Sequence, residues 1–285
     1  MPATSPATDT LAAAIDRLAA APVGGYHPDG EAASEPIANA AIALSRAGRD
    51  KEAELAAEWL VDRQTRAGSV GVTASEDDPA WPTALAMLAW QGVDAERYAE
   101  RIARAAAWAL GQEPTTIPRD PIFGHDTTIE GWSWAPATHS WLEPTAFYSV
   151  ALRACGHASH PRRGEAVRLL VDRLMPSGGA NYGNTTVFGQ ELLQHVHSSG
   201  VAAWALAGEE IEHPRLDATL DYLRRAIEEP TGVASLAWAV RGLATHGRID
   251  EPLRRDFDRA WARVEKSASL HKTALYALAG QELRA

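Results

Sequence analysis

Apolar residues along this 285-residue chain recur at helical spacing in two alternating patterns. The first is one-sided, with charged residues on the opposite face, and runs near 7–21, 51–65, 95–111, 162–175, 213–228 and 250–265. In the second of these segments Leu55, Trp59, Leu60 and Arg63 read as the stripe. Glu52, Glu54, Glu58 and Asp62 are left for water. The other pattern is apolar nearly all round, at Ala38–Leu44, Thr83–Trp90, Thr145–Ala154, Val201–Ala207, Val233–Ala244 and Thr273–Ala279. A helix of that kind has to be buried on every side.

The two kinds alternate, six of each, as an internal repeat. Several buried segments start alike, at Glu35-Pro36, Trp81-Pro82, Glu143-Pro144 and Glu229-Pro230. Proline costs nothing in a first helical turn, and a carboxylate there suits the helix dipole. Gly48, Gly92, Gly156, Gly208, Gly247 and Gly280 follow the segments where left-handed caps are expected. The pattern predicts an all-α (α/α)6 toroid. Residues 1–285 form one domain in which six outer helices surround six parallel inner ones and an apolar-walled central cavity. Two connections, 113–142 and 176–199, lack helical period and are expected at one rim, over a site.

Composition supports a helical globular chain, with 46% hydrophobic and 22% charged residues. A net charge of −10, with only Lys51, Lys266 and Lys272 as lysines, argues against nucleic acid. The single Cys155 leaves no intrachain disulfide and no multi-thiolate zinc site. Met1 to Ala21 carries Asp9 and Asp16 without a basic leader, and no run is long enough to span a bilayer. The cytoplasm is the expected compartment, and peripheral membrane contact stays open.

Certain pieces carry a family resemblance. They are Gly131-Trp132-Ser133-Trp134, Ser140-Trp141-Leu142-Glu143-Pro144-Thr145-Ala146, Gly178-Gly179-Ala180-Asn181-Tyr182-Gly183-Asn184 and the ending Tyr276-Ala277-Leu278-Ala279-Gly280. Together they resemble the terpenoid cyclase and protein prenyltransferase superfamily, the prenyltransferase and squalene-oxidase repeat proteins. The resemblance implies the toroid and an isoprenoid or similar apolar chain as ligand. It also implies a proton-initiated cyclase as the most concrete reaction.

The family's acid is the middle Asp of Asp-x-Asp-Asp-Thr-Ala. The nearest literal match, Ser75-Glu76-Asp77-Asp78-Pro79-Ala80, lacks the first Asp and the Thr. The helix-start frame places Glu143 at the acid position instead. For zinc, the alignment puts Thr273, not His271, at the family's histidine position, so no metal and no cofactor is assigned.

The candidate acids are therefore Glu143, Asp77, Asp78 and Asp126. Glu143 also reads as a plain helix-start carboxylate, and Asp77 and Asp78 as solvated loop residues. The candidate ligand contacts are Trp81, Trp132, Trp134, His139, Trp141, Tyr148, Tyr182, Glu191, His195 and Trp204. Aromatic faces steer a cation, but the same residues fill space between helix layers. The loop groups His125, Asp126, Glu130 and His139, with Glu191, His195 and His197, are potential acid–base or metal groups. The second reading is a non-catalytic carrier or interaction toroid that has lost the chemistry. The third is a metal-dependent hydrolase or lyase.

Overall fold

The computed structural model describes residues 6–285, with side chains from residue 10 onward. The first five residues of the N-terminal segment discussed above lie outside the described residues. The structure is mostly helical. In chain order come α1 (Pro6–Ala20), α2 (Ser34–Arg46), α3 (Asp50–Val61), α4 (Thr83–Asp94) and α5 (Ala99–Leu110). Then come α6 (Leu142–Ala154), α7 (Pro161–Asp172), a hairpin of β1 (Thr186–Val187) and β2 (Gln190–Glu191), and α8 (Val196–Leu206). α9 (Pro214–Ala226), α10 (Val233–Thr245), α11 (Glu251–Arg259), α12 (Trp261–Ser267) and α13 (Leu270–Glu282) complete the chain.

Contacts gather the described residues into two compact units, 6–105 with 249–285, and 106–248. In the first, the buried helices α13, α2 and α4 pack side by side, with α1, α3, α11 and α12 against them. In the second, α6, α8 and α10 form the buried row, with α7 and α9 against it. Each all-apolar segment has thus become a buried helix. The expected outer segment 250–265 is broken at Ala260 into α11 and α12.

The buried face of α3 differs from the expected stripe. Ala53, Ala56, Ala57 and Leu60 are buried, whereas Leu55 is 61% exposed and Trp59 half-buried under the Arg63 guanidinium, 5.0 Å from its ring centre. Alanines at this spacing let α2 approach closely, while Leu55 and Trp59 project from other faces of the helix. Trp108 and Trp261 on the outer helices α5 and α12 are also half-buried. Four of the six expected glycine caps have positive φ: Gly48, Gly156, Gly208 and Gly247. Gly92 and Gly280 instead lie inside helices α4 and α13, which run on past them.

Two devices fix the geometry of the helix starts. A first-turn hydroxyl holds the backbone that leads into its helix. Thr83 Oγ1 accepts from Val70 N at 2.8 Å, Thr145 Oγ1 from Trp132 N at 2.9 Å, and Ser199 Oγ from Ala180 N at 2.8 Å. The second device is a repeated His-Pro-Arg. His160 and His213 accept from Arg162 N and Arg215 N, capping α7 and α9. Arg162 and Arg215 then reach back to the carbonyls of Gly131 and Leu174. Backbone groups at helix ends and turns are thereby paired inside the fold.

The α8–α10 contact depends on a missing side chain. A Cβ on Gly200 would lie 2.4 Å from the backbone carbon of Trp238. The lone Cys155 ends α6 half-buried, and burial pushes its thiol up to about 12.

Candidate functional site

The two long connections lie in the second unit and pack on one another. Gly124 N donates to Thr186 O, Phe188 N to Ile122 O, and Leu142 N to Tyr182 O, at 2.8–2.9 Å. Between them lies a pocket of about 480 Å³. Its apolar wall includes Ile117, Phe123, Ile129, Ala137 and Trp141. Its polar groups are Thr115, Thr127, His125, Thr138, His139, Ser140, Arg173 and Asn184. Among the described residues, no Asp or Glu lines it.

Asn and Gly residues keep the second loop compact beside this pocket. Asn181 Nδ2 donates to Leu193 O, and Gly178 and Gly179 take positive φ. The β1–β2 hairpin carries Phe188, 77% exposed with φ of 51°, and Leu193 nearby is 81% exposed.

Arg173 follows the last turn of α7, and its side chain is only 4% exposed. It pairs with Asp172 and donates through Nη2 to Asp126 O at 3.1 Å. Its Nε has no hydrogen-bond partner. Burial lowers the guanidinium pKa, and the Asp172 carboxylate works against that shift. His125 is buried beside Phe123, with ring centres 5.5 Å apart, and its Nδ1 accepts from Thr185 N at 3.4 Å. Burial first, and the Arg173 charge second, push this imidazole down to about 4, so it is neutral near pH 7. His139 stands against Trp141, ring centres 4.3 Å apart, and stays exposed at the mouth. The part of it that is covered, and then Arg173, lower its pKa as well.

Of the expected contacts, His139 and Trp141 lie in the lining. Trp132 is instead a core residue. Its indole donates to Ala109 O at 2.9 Å, and its ring stacks on Tyr148. Trp204 packs on Trp238, and both rings sit under the Arg241 guanidinium. Tyr182 stacks on His195 at 4.5 Å, and Glu191 accepts from Ser177 N and Oγ. Trp134 is half-buried outside the lining, and Trp81 is half-buried in the first unit.

The candidate acids are scattered. Glu143 is buried and its Oε1 accepts from Ser198 Oγ at 2.6 Å, but it does not line the pocket. Asp77 and Asp78 are exposed in the first unit. Asp126 caps a turn: its Oδ1 accepts from Thr128 N and Oγ1, which lowers its pKa.

His195 is the extended residue before α8 and His197 is helical, so one ring meets Tyr182 and the other Trp238. Among the described residues, no three His, Cys, Asp or Glu side chains converge as a metal set. No helix of the described residues is long and apolar enough to cross a membrane. Neither a protein-family model nor a curated protein matches the chain.

Proposed function

We propose that the chain binds a small apolar ligand, of isoprenoid or similar type, in the pocket beneath the two long loops of its second unit. The carrying observation is the pocket itself. It falls within the roughly 300–1,000 Å³ usual for small-molecule sites, it combines an aromatic-aliphatic wall with a few polar groups, and no carboxyl lines it among the described residues. The lack of an acid in the lining favours holding a ligand over protonating one. The isoprenoid class rests on the resemblance in the Trp- and Gly-rich segments. In the same reading the two rows, α13–α2–α4 and α6–α8–α10, are halves of one (α/α)6 toroid, supported by the six-fold alternation of buried and amphipathic helices. The cytoplasm is its working compartment.

Calorimetric titration with farnesol tests the ligand. One saturable site is expected in the unaltered chain, and Thr138→Trp, which fills the pocket, should abolish it. Heat of binding that survives the filling substitution, or that is absent for farnesol and for its carboxylate and amine analogues alike, would remove this reading.

A further inference from the structure

We propose that the occupant of this pocket is an amphiphile whose apolar body ends in a carboxylate, received by Arg173, His125 and His139. The proposal rests on the ligand-binding reading above and adds the chemistry of the head group.

Among the described residues that line the pocket, Arg173 is the only formally charged side chain. It is not free to swing out. The Asp172 ion pair and the bond to Asp126 O hold it from one side, and Nε is left buried without an acceptor. His125 adds a second donor. With Nδ1 accepting from Thr185 N, the neutral ring carries its proton on Nε2. His139 adds a third ring at the mouth, next to Trp141.

Arg173 and the Nε2–H of His125 favour a hydrogen-bond acceptor over a donor, the neutral His139 ring can donate as well, and the guanidinium disfavours a cation. A phosphate head would bring more negative charge than one already paired guanidinium can balance. A carboxylate brings a single negative charge to a guanidinium that keeps N–H donors beside its Asp172 pair, and charge-assisted bonds are about twice as strong as neutral ones. The wall of Ile117, Phe123, Ile129 and Trp141 then takes the body of the ligand.

Three probes sharing one skeleton test this by calorimetry at pH 7: farnesoic acid, farnesol and farnesylamine. The acid should bind at least about tenfold tighter than the alcohol, and the amine weakest. Arg173→Met should erase the preference for the acid while leaving the alcohol's affinity within a fewfold. His139→Leu, at an exposed position, should narrow the preference several-fold and serves as the second variant if Arg173→Met does not fold. Equal affinity of acid and alcohol, or tighter binding of the amine, would overturn the carboxylate and leave the apolar pocket standing. Binding of none of the three would overturn the ligand-binding reading and this inference together.

Discussion

The Thr145 hydroxyl satisfies both backbone polar groups of Trp132, accepting from its N–H at 2.9 Å and donating to its carbonyl at 3.3 Å. Both groups are buried, and the neighbouring Gly131 has to be glycine because a Cβ there would lie 2.3 Å from the same hydroxyl oxygen. Thr145→Val keeps the shape and removes the partner. A loss of about 1–3 kcal/mol is expected, the cost of an unsatisfied buried amide, read as a lower urea midpoint. Thr145→Ser should retain most of the stability. A Val variant as stable as the parent would show that the clamp contributes nothing.

Gly200 predicts a steric result. Alanine there meets the Trp238 backbone, so Gly200→Ala should cost about 1–3 kcal/mol or more, because two helix backbones have to separate. Gly232, before α10 with φ of −60°, has open space where a Cβ would stand. Gly232→Ala is the control and should be neutral or slightly stabilising. Equal thermal midpoints for the two variants would contradict the close approach of α8 and α10.

Stability should fall in mild acid. His125 and His271 are both pushed from the ordinary 6.5 down to about 4, in each case chiefly by burial. Between those values the unfolded chain binds protons that the folded chain refuses. The stabilisation present above about pH 6.5 is therefore lost progressively toward pH 4. Thermal midpoints measured from pH 7.5 to 4 should show this fall, and His125→Gln should make it shallower. A midpoint that stays level from pH 7 to 5 would count against the neutral, buried imidazoles.

Glu143 separates holding a ligand from protonating it. Because its carboxylate faces Ser198 and is outside the pocket lining, Glu143→Gln should leave farnesol affinity within about twofold. A large drop in affinity would place that side chain in contact with the ligand.

Helical order was legible because its signal is spread over many positions. Six all-apolar segments could not sit at a surface, and each is a buried helix. Fine detail was harder to read wherever a small residue decided the packing. Leu55 looked like core by hydrophobicity, yet the alanine face one step round the helix is what α3 buries. Trp132 looked like a ligand contact by its place in a loop, but its indole is spent on Ala109. In the pocket, the loops, His125 and His139 stood out as titratable groups in segments without period. Arg173 did not, because a basic residue at the end of an outer helix reads as a solvated partner of the helix dipole. Only the fold turns it inward. Its pairing with the adjacent Asp172 carries no pattern that sets it apart from surface pairs.

The half-buried sulfur that ends α6 has a practical consequence. With its thiol pushed up to about 12, almost none of it is the reactive anion at neutral pH, and alkylating dyes should leave it nearly untouched. Cysteines introduced at the exposed hairpin or at the pocket mouth would then be the fast-labelling positions. A pair of fluorophores there could report whether the distance between the two loops changes when a guest molecule is added, without first removing the native thiol.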